Sequence, residues 1–132
     1  MRSFDECKTA WKGTTQTRKK HWGVEISAGG IHHVQTKILY INKGMSTSLK
    51  YYPNKNEVLF VRDGSVEITY ASENYIKYPR SEKLNIIKLD AGSVFYIQSG
   101  CPYSIKAITA CEIFEIGDNS LGCSIKINLD TE

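Results

Sequence analysis

The sequence predicts an all-β protein, built as a sandwich or a closed barrel. Short segments rich in Val, Ile, Tyr, Phe and Thr recur along the chain, and several show the two-residue alternation of a half-buried strand. Turn-forming residues, mainly Gly, Asn and Asp, separate these segments. No window of a dozen residues combines helical periodicity with capping residues. The 132 residues are enough for one domain with a single core.

Eight strands are predicted between residues 32 and 129. They cover residues 32–41, 57–63, 65–71, 84–89, 93–98, 103–108, 111–116 and 123–129. Residues 1–20 are interpreted as an N-terminal leader or edge strand, and residues 21–132 as the single domain. The polar stretch 72–84, which contains one proline, is expected to be a loop and a candidate flap.

The composition and net charge of the chain limit the kinds of partner that it is expected to bind. The hydrophobic fraction of 41% and the charged fraction of 23% are typical of a soluble globular protein. No apolar run approaches the roughly 20 residues of a membrane span, and the N-terminus lacks the apolar segment of a secretory signal. We therefore expect a cytoplasmic protein without membrane contact. The net charge of +3 suits a small anionic ligand. The short basic run at residues 18–20 is interpreted as solvated, so no nucleic-acid partner is expected.

The four cysteines are expected to be free thiols. Cys7, Cys101, Cys111 and Cys123 form no C-x-x-C pair and lie near no histidine at zinc-finger spacing. Disulfides are also rare in the cytoplasm. Whether Cys101, which lies in a turn, is reactive stays open.

Two glycine-bounded patterns carry a family resemblance. In the first, Gly44 is followed by Lys50-Tyr51-Tyr52, Glu57 and Gly64; in the second, Gly92 is followed by Gln98-Ser99-Gly100, Tyr103 and Ala107. The spacing resembles that of the two cupin motifs, which carry His-x-His and Glu in the first and a His in the second. The resemblance implies the cupin double-stranded β-helix, a jelly-roll barrel.

A narrower resemblance covers about residues 21–130. The chain looks like the cupin domain of type II phosphomannose isomerases, also found at the C-terminus of bifunctional isomerase/mannose-1-phosphate guanylyltransferases. The similar segments are Trp22-Gly23, "QTKILYINKG" with Lys37, "SLKYY" at 48–52 and "IFEIGDNSLGCSIKI" at 113–127. This resemblance implies a sugar-related ligand, and cupins in general suggest a homodimer that pairs or exchanges edge strands.

The metal ligands of the family are mostly replaced in this chain. The four metal-ligand positions of the family correspond to Lys50, Tyr52, Glu57 and Tyr103 in this chain. An ammonium has no lone pair to donate, and a phenol is a poor ligand while it keeps its proton. One carboxylate does not make a transition-metal site. We therefore expect no metal and no cofactor.

We expect Lys50 to take the place of the cation and to pair with Glu57, since a buried carboxylate requires a partner. Lys50 and Tyr52 have the same parity and so face one side of a strand. Two interpretations stay open. Either the pair and the hydroxyls of Tyr52 and Tyr103 fill the barrel, or the barrel mouth binds a ligand through Lys37, Lys50, Tyr52, Glu57 and Tyr103.

The favoured function is a metal-free degenerate cupin that binds a small polar or anionic molecule, such as a sugar phosphate or nucleotide sugar, with little or no isomerase activity. One alternative is a non-catalytic structural, assembly or regulatory cupin with a filled barrel. Another is a metal-free sugar isomerase or epimerase, with Tyr52 or Tyr103 as acid and Glu57 or Lys50 as base. Whether the protein is an enzyme therefore stays open, with Glu57, Tyr52 and Tyr103 as the catalytic candidates.

Overall fold

The computed structural model describes residues 7–78 and 82–128. Part of the leader, part of the expected loop at 72–84 and the end of the last predicted strand lie outside the described residues. In the described part of the chain the elements are, in order, β1 (Gln16–Lys20), β2 (Gly23–Ile31), β3 (Val34–Ile41), β4 (Lys50–Tyr51), β5 (Glu57–Asp63), β6 (Ser65–Tyr70), α1 (Asn74–Lys77), β7 (Asn85–Asp90), β8 (Val94–Ile97), β9 (Tyr103–Ala107), β10 (Cys111–Gly117) and β11 (Ile125–Lys126).

The strands form two antiparallel sheets. One sheet has the order β1-β2-β3-β10-β5-β8 and the other the order β11-β4-β9-β6-β7. Strands far apart in sequence are neighbours, as in the pairing of β3 with β10 and of β6 with β9. This topology confirms the predicted all-β jelly roll.

Alternating side chains from both sheets fill the space between them. The most deeply buried apolar residues come from the middle of both sheets: Leu59, Val61, Val66, Ile68, Ile105, Ala107 and Ile113. They all belong to predicted strands, because a strict two-residue alternation is the signal that burial on one face produces. The apolar cluster occupies one part of the barrel interior and leaves the rest to polar side chains.

The structure corrects the strand assignment at two places near the N-terminus. β2 was not predicted, because its second half, "SAGGI", lacks the β-branched and aromatic residues that mark a strand. The strand predicted to begin at residue 32 begins at Val34. His32 and His33 have φ values of 47° and 62° and form the two-residue turn between β2 and β3.

The segment at 72–84 is not wholly irregular. Its described part contains α1, a single turn in which Tyr75 is buried. The basic run at 18–20 lies in β1, an edge strand whose residues are all exposed. No helix in residues 7–78 and 82–128 has the length and apolar composition needed to cross a membrane.

Candidate functional site

A group of charged side chains lies inside the barrel at one end of the six-stranded sheet. Lys37 on β3 is paired in register with Glu115 on β10, and Glu25 on β2 is diagonal to Lys37. Glu57 begins β5 beside Gly117. All three carboxyl residues are buried. Glu57 and Glu115 have the same parity as the apolar core residues of their strands, and Glu25 is paired in register with the core residue Leu39, so all three point inward.

Lys55 occupies the centre of this group. It lies in the turn between β4 and β5 and is only 2% exposed. Its Nζ is 3.3 Å from Oε2 of Glu57 and 3.6 Å from Oε2 of Glu115. The same ammonium donates a 2.9 Å hydrogen bond to Oε1 of Gln35 and lies 4.3 Å from the centroid of the Tyr52 ring. Two carboxyls, an amide oxygen and an aromatic face therefore surround one cation.

The aliphatic stem of Lys55 passes between two glycines. A Cβ at Gly117 would overlap Cε of Lys55, and a Cβ at Gly122 would lie 3.2 Å from Cβ of Lys55. Any other residue at Gly117 would displace the lysine. The backbone thus leaves a channel that fits this side chain.

The expected pairing of Lys50 with Glu57 is corrected by the structure, in which Lys55 pairs with Glu57. Lys50 lies on the opposite sheet, where β4 is paired with Tyr103 of β9. Its ammonium is 5.8 Å from the centroid of the Tyr52 ring. Within residues 7–78 and 82–128, no carboxylate lies within 4 Å of it. The turn brings Lys55 nearer to the six-stranded sheet than the strand allows Lys50 to come.

Two buried phenols complete the site on the side of the five-stranded sheet. The hydroxyl of Tyr103 donates a 2.6 Å hydrogen bond to Oε1 of Glu57. Burial, together with the nearby charge of Glu115, raises the pKa of Tyr52 to about 12 and that of Tyr103 well above its usual value. Both phenols therefore keep their protons at neutral pH, and Tyr103 donates its proton in the bond to Glu57.

Glu57 and Glu115 are neighbouring buried carboxyl groups with opposite pKa shifts. With both ionised, Oε2 of each is buried without a hydrogen-bond donor among the described residues. Burial, followed by the charge of Glu115, raises the pKa of Glu57 to about 8. Burial alone would also raise the pKa of Glu115, but the hydrogen bond from Glu57 and the charges of Lys37 and Lys55 outweigh it and lower that pKa. A proton on Glu57 supplies the missing donor.

The two remaining lysines differ in their surroundings. Nζ of Lys37 is 3.6 Å from Oε1 of Glu25 and 3.7 Å from Oε2 of Glu115. Although burial lowers the pKa of Lys37, these carboxylates outweigh it and raise the pKa to about 12. Burial lowers the pKa of Lys50, and the charge of Lys37 adds to that effect. The positive charge of Lys50 is thus less well balanced by nearby carboxylates than that of Lys37.

The structure gathers the five predicted binding residues, Lys37, Lys50, Tyr52, Glu57 and Tyr103, around one end of the barrel interior. The residues that sequence reasoning missed are Glu25, Gln35, Lys55 and Glu115. A signal existed for Glu115, because it has the same parity as Cys111 and Ile113 in a predicted strand, whereas Glu25 lies in β2, which was not predicted. Lys55 lies in a turn, where no periodicity indicates which way a side chain points.

The residues present do not fit a transition-metal site of the cupin kind. Among the described residues, no three His, Cys, Asp or Glu side chains are placed to hold one ion. The ammonium of Lys55 lies beside Glu57, the one family ligand that the chain keeps. A metal there would meet a fixed positive charge where it needs further donor atoms.

A hydrogen-bonded cluster fixes the end of the barrel where Lys55 enters. Asn56 bonds Asp118 through both its backbone N–H and its side-chain amide, at 2.9 and 2.8 Å. Its Oδ1 accepts a 2.8 Å bond from the backbone N–H of Ser99. The turns before β5 and after β8 and β10 are thereby tied together next to the buried lysine.

Two facing antiparallel sheets that pair strands far apart in sequence have the jelly-roll topology of the double-stranded β-helix class of protein. Residues 30–127 match the sequence profile of the cupin family, so the chain belongs to that family. No curated protein sequence is detectably similar to it.

The solved structures to which it is similar include several of oxalate decarboxylase from Bacillus subtilis. A tryptophan variant of that enzyme superposes with a TM-score of 0.69 at 19% identity, over 80% of this chain and 28% of that one. A deletion variant gives 0.73 at 18%, and the structure at pH 4.6 gives 0.73 at 16%; each covers 86% of this chain and 30% of that one. The chain thus spans about 30% of the enzyme's length, and the likeness shows the fold alone.

Proposed function

We propose that the protein is a metal-independent cupin that binds a small anionic molecule at the charged end of its barrel. The observation that carries the proposal is the ammonium of Lys50, which lies over the Tyr52 ring with no carboxylate within 4 Å in the described part of the chain. A partly buried cation without a counter-ion is a favourable position for an anion.

The charges of the site support the same conclusion. When Glu57 holds its proton, the ammonium groups of Lys37, Lys50 and Lys55 face only the carboxylates of Glu25 and Glu115. One positive charge is then left in a low-dielectric interior. A ligand with one phosphate or carboxylate near Lys50 and Lys37 would neutralise it, and the phenol of Tyr52 offers a hydrogen-bond donor nearby.

Sugar phosphates and nucleotide sugars are the ligands to test first. This choice rests on the resemblance of "SLKYY" and the segment at 113–127 to type II phosphomannose isomerases. The structural neighbours act on oxalate, as their name states, so small dicarboxylates form the second class.

The burial of the candidate catalytic residues supports binding over turnover. The side chain of Glu57 is 1% exposed, and Tyr103 is 2% exposed as a residue. Glu57 makes its hydrogen bonds with other groups of the protein. Neither Glu57 nor Tyr103 therefore faces a ligand bound at Lys50. Because the charged side chains around Lys55 already partner one another, a second candidate function is also favoured. It is a structural cupin whose barrel is filled by the cluster around Lys55.

The metal content of freshly purified protein tests the first half of the proposal. Because Lys55 supplies the positive charge beside Glu57, we expect elemental mass spectrometry to find transition metal far below one equivalent. Incubation with a chelator is expected to leave the melting temperature unchanged. Near-stoichiometric metal, or a chelator-induced loss of stability, would contradict metal independence.

Replacing Lys50 tests the second half of the proposal, which is that the site binds a small anionic molecule. We expect one class of sugar phosphate to raise the melting temperature of the wild type, and Lys50→Met to weaken that ligand by roughly tenfold or more. Calorimetric titration of both proteins provides the measurement. Lys106→Met, on the outward face of β9, is the matched control and should bind like the wild type. A wild type that binds no tested anion would favour the filled structural barrel.

A further inference from the structure

A cleft opens between the edges of the two sheets, where β7 begins and β8 ends. β7 and β8 are the outermost strands of their sheets, and residues 91–93 join them at the far end of the pair. The cleft has a volume of about 460 Å³, within the range of roughly 300–1,000 Å³ that is usual for small-molecule sites. We refer to the space lined by Tyr70, Asn85, Phe95, Ile97 and Gln98 as the edge cleft.

The floor of the edge cleft is aromatic and apolar. Tyr70 and Phe95 have the parity of the buried residues on β6 and β8, so both point between the sheets. Their rings meet edge to face, with centroids 5.1 Å apart. The buried side chains of Ile97 and Pro102 add aliphatic surface. Because Tyr70 and Phe95 are only half-buried, part of each ring is available to a planar ligand.

Two primary amides at the rim of the edge cleft have no partners. Asn85 is the first residue of β7 and Gln98 follows β8, and both side chains are exposed. Within residues 7–78 and 82–128, neither side chain takes part in a hydrogen bond. Each amide offers both donors and an acceptor. The rim therefore fits a ligand edge that also carries a donor and an acceptor.

The electrostatics of the edge cleft favour an uncharged ligand. The residues that define the cleft carry no charge at neutral pH. The carboxylate of Glu73 lies beside the adjoining turn, where its Oε2 would be 3.6 Å from a Cβ at Gly100. That carboxylate would repel an anion at the rim. Burial of any charged ring against the apolar floor would also cost free energy.

We infer that the edge cleft is a second binding site, which takes a small neutral aromatic ring with a carboxamide or an equivalent donor–acceptor edge. The ring would lie against Tyr70 and Phe95, and the edge would exchange hydrogen bonds with Asn85 and Gln98. None of these four residues belongs to the charged group around Lys55. The inference therefore does not depend on the anion proposed for the barrel.

Nicotinamide and nicotinate test this inference as a pair of probes. They share one ring and nearly one shape, but at neutral pH the first is uncharged and the second is an anion. We expect nicotinamide to bind with a Kd of roughly 0.1–5 mM, as its size allows, and nicotinate to bind about tenfold or more weakly. Binding that is undetectable at about 20 mM nicotinamide, or equal for the two probes, would overturn the inference.

The side-chain amides locate the bound ring. In titrations of ¹⁵N-labelled protein, the NH₂ resonances of Asn85 and Gln98 should shift with nicotinamide and follow one binding curve. The corresponding resonance of Asn42, an exposed residue after β3, is the internal control and should stay in place. Shifts confined to other parts of the protein would place the ring elsewhere and contradict the assignment.

Removing the two amides tests their contribution to binding. Asn85→Ala combined with Gln98→Ala is expected to raise the Kd of nicotinamide about fivefold or more, because two hydrogen bonds are lost. Both positions are exposed, so the fold should be retained, and thermal melts verify it. Asn42→Ala is the matched control. Lys50→Met should also leave the Kd unchanged, which separates this site from the proposed anion site. An unaltered Kd in the double variant would refute the role of the rim.

Discussion

Replacing Lys55 with methionine is expected to lower the free energy of unfolding by about 3–5 kcal/mol, the usual effect of removing one partner of a buried ion pair. Methionine keeps much of the stem but leaves Glu57 and Glu115 facing each other without the ammonium at 3.3 and 3.6 Å. Gln35 would also lose its donor. Denaturant unfolding should show the loss directly, and the melting temperature should fall by roughly 10–20 °C.

Two further variants separate the charge effect from the loss of a lysine as such. Lys106→Met, on an exposed position, is expected to change stability by about 0.5 kcal/mol or less. Adding Glu57→Gln and Glu115→Gln to Lys55→Met should recover about half of the lost stability, because the carboxylate that Lys55 compensated at Glu115 is then neutral. A loss below ~1 kcal/mol for Lys55→Met would refute the central role given to this cation.

The stability of the wild type is expected to fall as the pH rises from 5 to 8. In the folded protein the pKa of Glu57 is about 8, against 4.5 in the unfolded chain, so only the folded state holds this proton within that window. The stabilising contribution is complete below pH 4.5 and is lost as the pH passes 8. The slope has a maximum of about 1.4 kcal/mol per pH unit.

Glu57→Gln isolates this contribution, since it keeps the acceptor for Tyr103 and cannot titrate. The difference in free energy of unfolding between wild type and variant is expected to fall by about 2–4 kcal/mol from pH 5 to pH 8. Glu115, with its lowered pKa, acts below this window, and Lys37, with its pKa of about 12, acts above it. The outward-facing Glu67→Gln should keep the wild-type dependence. Parallel curves for wild type and Glu57→Gln would exclude a proton shared within the carboxyl pair.

The barrel was predictable because most of its strands carry their own evidence. β5, β6, β9 and β10 alternate between buried and less buried positions over most of their length, and glycines mark the ends of β5 and β10. β2 was missed because the pairing of its second half with β3 comes from tertiary context, not from its glycine-rich composition. The resemblance to cupin motifs then selected one topology among many all-β possibilities.

The site was only partly predictable, for a physical reason. Spacing within a motif places residues along a strand, so Lys50, Tyr52 and Glu57 could be assigned to the barrel interior. Which ammonium reaches a given carboxylate depends instead on the path of a turn and on the space that remains beside it. Lys55 reaches Glu57 because Gly117 and Gly122 leave room for its stem, and Gly122 belongs to a segment more than sixty positions further along the chain.

The lysine between the carboxyl groups also changes how the site depends on its surroundings. A bound metal obeys mass action, so its occupancy falls when free ions become scarce or a competing ligand removes them. A cation tethered to the backbone has a fixed, very high effective concentration and cannot dissociate. The charge beside Glu57 would therefore be present from the moment the chain folds, without loading and without competition between ions.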